Sequence, residues 1–559
     1  MNRKPKRKIN WFVLGLISLP ILVTGTYFWA TNIIASLENY RSPLYLSPPV
    51  PGESLGTPIT DRVVLVILDA LRYDTSTDVS IMPQMNAFRD LGASAKMLSQ
   101  PPSFSAPGWV TLLTGAWPEI NDGQLMNPPD LFSARSFTQE DIFSAADKQG
   151  LNTAVSGYIW FEKMLSGSGI DASFYTTGED NSADQEVVTN ALRFLQGNYE
   201  LVLIHIDQID YAGHHEGGPR DTGWQEASAR SDKLLKLLGD NLDFEKDTLI
   251  LLSDHGQIDK GGHGGDDDIC LTEPFIAVGK SIIPGQYPDI EMVDIAPTIA
   301  VLLGTNIPAS NQGHPLLEML ELPPEYRSSV SRLLKQQQNS LLTSYTQAIG
   351  YSVESNDGDD IVISTQETLS RARFGKLAKE RIWRNLIAVF LVFVPGYILF
   401  LRKERNIHWL ILGSVIFLLG FNIQYFLIAK NTYSLSWIPG ISDFIIYIGF
   451  TTLLAMVPAW VVVSLLMQGF HAGIKKLIGI THGMVWMTIY VLAIPFLAYF
   501  ALYGIELSWT LPNFTLQYLA FLSAVQILFV SAIGLTFIGL IALVGKVLNR
   551  SNHVGIKTR

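Results

Sequence analysis

At 559 residues the chain is long enough for more than one domain, and its 48% hydrophobic content exceeds that of an ordinary soluble protein, so part of it belongs in lipid. The formal net charge is −11, with 48 acids against 25 bases across residues 9–384, a balance that excludes a phosphate-backbone footprint; no nucleic acid partner is expected. A single cysteine, Cys270, excludes an internal disulfide.

Residues 1–10 open with "MNRKPKRK", five positive charges and no acid, which holds this end in the cytoplasm. Residues 11–33 read as a transmembrane anchor, expected to stay uncleaved because "SLENYRSP" after it offers no small-residue cleavage site. Residues 34–60 form a linker, Pro-rich through "RSPLYLSPPVPGESLGTP". Residues 61–384 then form an extracytoplasmic domain, at the cell surface, in the periplasm or in the ER lumen according to the organism.

After Arg384 the chain is almost continuously apolar to Val547, interrupted by only three acids, Glu404, Asp443 and Glu506. Residues 385–547 are read as a five-span bundle, with spans at 385–401, 408–429, 442–468, 477–504 and 516–545, and 548–559 as a cytoplasmic tail. Lys and Arg residues after the second and fourth spans of the whole chain, and at its end, agree with this orientation. "RARFGKLAKERIWR", 371–384, runs against it with six positive charges on the outer side, and reads as an amphipathic helix on the headgroups.

Within the domain, "RVVLVILD", "ELVLIHID" and "DTLILLSD" are near-continuous apolar runs, as expected of parallel strands covered on both faces. Helical patterns such as "EASARSDKLLKLLGDNL" lie between them, which predicts an α/β layered domain with a mostly parallel central sheet. Each run ends in aspartate: Asp69, then Asp207 and Asp210, then Asp254. Ligands gather beyond the carboxyl ends of strands in open parallel sheets, so these carboxylates are expected to converge.

Histidines follow the same ends: His214 four residues after Asp210, His255 beside Asp254, and His263 among glycines in "GGHGG". Asp69, Asp210, Asp254, His214, His255 and His263 together suit two divalent ions, zinc or manganese rather than calcium. His205, inside its strand, reads as a satisfied core histidine, and His215 stands as an alternative ligand to His214.

The motifs "DALRYD" (69–74), "SAPGWVTLLTG" (105–115), "DYAGH" (210–214), "SDHGQIDKGGHG" (253–264) and "DIAPTIAVLLGTNIPASNQG" (294–313) stand in the order of the alkaline phosphatase superfamily. They resemble most its type I phosphodiesterase and GPI ethanolamine phosphate transferase branch. The resemblance implies an alkaline phosphatase-like fold and metal-dependent phosphoester chemistry. It also fixes a nucleophile: sulfatases of this superfamily read Cys-x-Pro-x-Arg ahead of Leu-Leu-Thr-Gly, which aligns Ser105 with the nucleophile and Pro107 with the proline. Ser103 and Thr111 are alternatives. Trp109 stands where sulfatases carry arginine, which argues for phosphorus rather than sulfate esters. Arg72 either orients the phosphate or pairs with Asp74 to pin its loop.

One ion, on Asp69, Asp254 and His255, is expected to activate Ser105, and the other, on Asp210, His214 and His263, to bind a non-bridging oxygen. A span before the domain and several behind it resemble the layout of GPI ethanolamine phosphate transferases. The reading is a membrane-bound phosphodiesterase or phosphoethanolamine-type transferase acting on a lipid or lipid-linked glycan through a seryl-phosphate-type intermediate. The alternatives are an extracytoplasmic nucleotide pyrophosphatase/phosphodiesterase or phosphatase with the spans only as anchor, and an inactive membrane scaffold.

Overall fold

The structure is a computed structural model that describes residues 11–351, 360–402, 406–438, 440–471 and 473–555. A first helix, α1 (Trp11–Glu38), leads to the segment expected as a linker. That segment is docked on the domain: Leu55 and Gly56 donate backbone hydrogen bonds to Thr305 (3.2 Å) and Gly304 (2.9 Å), and Arg41 pairs with Asp122 at 2.5 Å.

Among the described residues, nine strands form one sheet. They are β1 (Arg62–Leu68), β2 (Ala93–Leu98), β3 (Thr153–Tyr158), β4 (Ala172–Thr176), β5 (Leu201–Ile206), β6 (Asp247–Leu252), β7 (Thr272–Gly279), β8 (Gly285–Gln286) and β9 (Ile290–Glu291). The order is β4-β3-β5-β1-β6-β7-β2-β8, with β9 also on β2. From β4 to β6 all pairings are parallel, while β7 runs antiparallel to both its neighbours.

The three apolar runs are β5, β1 and β6, side by side in the centre, and residues 63–68 of β1 are fully buried. Alternate residues of β1 enter separate cores on the two faces, Val63, Leu65 and Ile67 on one and Val64, Val66 and Leu68 on the other. Continuous Val, Ile and Leu is what a strand needs when both of its faces are covered. The helices that place the site are α2 (Ser105–Thr114), α3 (Gln208–His215) and α4 (Thr222–Gly239).

Beyond the sheet come α5 (Pro324–Ile349), α6 (Ile361–Arg402), α7 (Ile407–Asn422), α8 (Ile441–Leu466), α9 (Ile474–Tyr503) and α10 (Phe514–Gly555). Among the described residues, five segments are long and apolar enough to cross a membrane: Gly15–Glu38, Ile407–Ile428, Ile441–Leu466, Ile474–Tyr503 and Phe514–Val547. The expected span at 385–401 is the C-terminal stretch of α6, and part of it lies outside the residues whose side chains are described. The basic tail 1–10 lies outside the described residues.

The basic segment 371–384 is not a separate surface helix. It is continuous with α6, and protein groups engage its cations: Arg373 pairs with Glu119 at 2.5 Å, Arg381 donates to the Leu502 carbonyl at 3.0 Å, and Lys376 lies 4.3 Å over the Trp509 ring.

Candidate active site

The register of the central strands sets the site. Leu68 faces Ile206 on β5 and Ile67 faces Leu252 on β6, so Asp69 and Asp207, one residue past their strands, and Asp254, two past Leu252, leave the sheet at the same level. Asp69 continues the ladder by donating its N–H to Ile206 O at 2.9 Å. The chain then turns sharply: Ala70 has φ 62, a left-handed conformation that costs a residue with a Cβ about 1 kcal/mol or more, and its N–H donates to Asp254 Oδ1 at 3.2 Å. Backbone strain is thus located where two strand-end carboxylates meet.

Asp210 on α3 collects two histidines. Its carboxylate lies 3.4 Å from His214 Nε2, one helical turn on, and 3.4 Å from His263 Nε2, and those two nitrogens are 2.9 Å apart. Asp69 collects two others: Oδ1 is 3.3 Å from His255 Nε2, and Oδ2 is 2.9 Å from His205 Nε2. Asp254 Oδ2 lies 3.8 Å from His255 Nε2. The His255 and His263 rings stack at 4.2 Å, so the two clusters adjoin. All six expected ligands converge, although they come from three strand ends.

The three candidate hydroxyls, Ser103, Ser105 and Thr111, each have a definite place. Ser105, the first residue of α2, has its Oγ 3.2 Å from His255 Nε2. Ser103 Oγ donates to Gly265 O (2.9 Å) and accepts from Gly264 N (3.0 Å), which ties it into the glycine loop. Thr111 bonds back to the Pro107 carbonyl of its own helix at 2.8 Å. Gly108 lets α2 lie against the end of β6, where an added Cβ would stand 2.9 Å from the Asp254 carbonyl oxygen. Arg72 donates to Asp74 (2.8 Å) and Asp259 (2.8 Å), the loop-pinning arrangement.

The electrostatics follow from the packing. Burial, and then the Asp69 carboxylate, push the Asp254 carboxyl up to about 7. Burial opposes charge on His255, yet Asp254, Asp69 and Asp210 around it raise its imidazole to about 10. Burial and the neighbouring His255 cation bring His263 down to about 4. Asp207, buried among the other carboxylates, is raised well above its ordinary value.

Such a concentration of buried charge fits divalent cations. Asp69 Oδ1 and Asp254 Oδ2 are buried with no hydrogen-bond partner, a costly state that a cation would relieve. His255 Nδ1 donates to Gly256 O and His263 Nδ1 to Ser103 O, both at 3.1 Å, which in the neutral rings directs each Nε2 lone pair at the carboxylates. Asp210, His214 and His263 form one donor group, and Asp69 groups both with Asp210 and His255 and with His205 and Asp207.

His205 therefore holds Asp69 besides filling the core, although its place inside a strand made it look like a core residue alone. Gln257 is a further residue of the site. It donates to Asp210 Oδ1 at 2.6 Å and accepts from Trp224 Nε1 at 2.9 Å, so α4 orients Asp210 through it. Its position three residues after Asp254, in the same loop, was the available signal.

A loop between membrane segments, 429–438, touches the His263 loop directly. Ser436 Oγ accepts the Gly265 N–H at 3.0 Å, Ser434 Oγ donates to Asp267 at 2.5 Å, and Lys260 donates to Ala429 O at 2.8 Å. A Cβ on Gly265 would stand 1.9 Å from Ser434 Oγ, so glycine is required for this approach. A second junction joins Glu119, just past α2, to Thr510 at 2.5 Å and Leu511 N at 3.2 Å.

The type I phosphodiesterase / nucleotide pyrophosphatase family model matches residues 63–274. GPI ethanolamine phosphate transferase 2, catalytic subunit, of Homo sapiens is 26% identical over 307 residues, which are 50% of this chain and 30% of that protein. GPI ethanolamine phosphate transferase 2 of Candida albicans is 25% identical over 350 residues, 58% of this chain and 39% of that one. The chain thus spans between 30% and 39% of these curated relatives. Among solved structures, human ectonucleotide pyrophosphatase / phosphodiesterase 5 is similar at 15% identity and TM-score 0.39, covering 47% of this chain and 100% of that one. The matched segment, 63–274, spans β1 to the start of β7 and carries all six converging donors and Ser105.

Proposed function

We propose that the protein is a membrane-bound phosphodiesterase or phosphoethanolamine-type transferase acting on a lipid or lipid-linked glycan phosphodiester, with Ser105 as nucleophile and the catalytic domain extracytoplasmic. Asp69, Asp254 and His255 would hold one divalent ion and Asp210, His214 and His263 a second, zinc or manganese by the donor set. When bound, such ions supply Lewis-acid stabilisation of the charge on the serine oxygen and the phosphoryl oxygens.

The chain's own groups do the positioning. Ser105 sits in the first turn of α2, where the partial positive charge of the helix terminus favours an anionic phosphoryl group. The 3.2 Å contact with His255 holds its hydroxyl toward the carboxylate cluster. In the first displacement the bond from Oγ to phosphorus forms as the bond to the leaving oxygen breaks; the serine gives up its proton and the leaving oxygen gains one. In the second, an acceptor hydroxyl oxygen bonds phosphorus and loses its proton, while Ser105 Oγ leaves and is reprotonated. Water takes the same role in hydrolysis.

The observation that carries this reading over a merely anchored hydrolase is the docking of membrane loops on the site. A bundle that served only as anchor has no need to hydrogen-bond Gly265 and Asp267, beside His263, or Glu119, beside α2. A membrane acceptor held there outcompetes water only through positioning, which supplies high effective molarity. The test uses the full chain in liposomes with a phosphodiester donor labelled on its transferable group. Label on a lipid acceptor supports transfer; label wholly in water-soluble product replaces it with the nucleotide pyrophosphatase/phosphodiesterase-type reading.

A further inference from the structure

A cavity of about 460 Å³ lies between the catalytic domain and the membrane helices, within the size range of small-molecule sites. One wall is α6, which contributes Gln366, Ser370, Arg373, Leu377 and Arg381. These positions recur every three or four residues and so line one helix face. The facing wall includes Pro101, two residues before Ser103, and Asp266, three after His263. Three residues of chain reach at most ~10 Å, so the cavity wall and the metal-type cluster are close neighbours. Tyr503 and Phe514, at the ends of α9 and α10, close the membrane side.

The two arginines differ in what they have left to give. Arg373 is neutralised by Glu119 at 2.5 Å. Arg381 is fixed through Nε, which donates to Leu502 O at 3.0 Å, and by its guanidinium 5.7 Å from the Tyr503 ring. No carboxylate pairs with it among the described residues, so its two terminal nitrogens present an oriented fork of the kind that binds phosphate bidentately. Phe374, which also lines the cavity, is 60% exposed, so the seat joins an anion fork to apolar surface.

We propose that this cavity seats the phosphate-bearing headgroup of a membrane lipid, with Arg381 on that phosphate, beside the phosphodiester that reacts at Ser105. The inference rests on the transferase reading, for which this lipid is the acceptor side. A lipid is favoured over free phosphate because span-end residues and an exposed phenylalanine complete the seat.

Binding is tested without turnover, on the full-length Ser105→Ala protein in phosphatidylcholine nanodiscs, titrated with a fluorescent short-chain phosphatidic acid. Arg381→Gln is expected to weaken binding about tenfold or more, as loss of a charge-assisted pair does, with Arg381→Lys in between. Arg371→Gln, an exposed cation of the same helix outside the cavity lining, is expected to leave binding unchanged. Equal weakening by Arg371→Gln reduces the effect to surface charge and overturns the proposal, as does no weakening by Arg381→Gln. Displacement by inorganic phosphate at concentrations near the lipid's own dissociation constant overturns the lipid assignment. Retained lipid binding, with wild-type protein that only hydrolyses, would refute the transferase reading and leave the headgroup site standing.

Discussion

Replacing Ser436 with alanine removes the hydroxyl that accepts the Gly265 N–H at 3.0 Å, in a place where both residues are buried. An unsatisfied buried donor costs about 1–3 kcal/mol. The cost falls on the docked form of the loop, the form in which His263 is fixed by Ser103 O at 3.1 Å and faces Asp210 at 3.4 Å. If that form is the one competent to bind an ion, affinity at Asp210, His214 and His263 should fall by about 5- to 150-fold, since ~1.4 kcal/mol is tenfold. Asp69, Asp254 and His255 leave from β1 and β6 and do not depend on that hydrogen bond, so their ion should bind nearly as before. The assay is zinc titration of the metal-stripped full-length protein against a competing chelator, resolving two binding steps, with thermal unfolding as the control for folding. Two unchanged steps, or two steps weakened equally, would refute the claim that a membrane loop positions His263.

His263→Ala should lower bound metal by about one equivalent per chain while the protein stays folded, read by elemental analysis. Gly108→Ala should lower activity and thermal stability together, because its Cβ would press on the Asp254 carbonyl from 2.9 Å; unchanged activity would show that α2 has slack. Asp141, which caps a helix, has its carboxyl pushed up to about 6 by burial, above the ordinary 3.8. The folded state therefore holds its proton longer than the unfolded state, so stability falls as pH rises from about 4 to about 6 and is level above that. The melting temperature of wild type relative to Asp141→Asn should decline across that window, and a flat difference would contradict it.

The parts of the fold that declare themselves in sequence are those that one physical demand dictates. Strands β1, β5 and β6 must be apolar on both faces, and that demand writes unbroken Val, Ile and Leu into them and marks their ends with aspartate. Strand-end convergence then follows from the parallel sheet, and Asp69, Asp210, Asp254, His214, His255 and His263 were readable together. β2 and β7, "ASAKML" and "TEPFIAVG", mix polar and apolar residues and pair antiparallel, so no single pattern marks them. His205 looked like core because its partner, Asp69, is set by the cross-strand register rather than by spacing along the chain. Ser434 and Ser436 were illegible for the same reason in stronger form. Serines in a loop between apolar helices carry no signal until the tertiary fold brings Gly265 and Asp267 to them.

Covalent attachment of Ser105 to phosphorus is tested by peptide mass spectrometry of the full-length protein quenched by acid during turnover of a lipid phosphodiester donor. The expected result is a phosphoester-bearing peptide covering α2 with the added mass at Ser105, absent from Ser105→Ala protein and from enzyme quenched without donor. An adduct on Ser103, or donor turnover that persists in Ser105→Ala protein with no adduct on any residue, would contradict it.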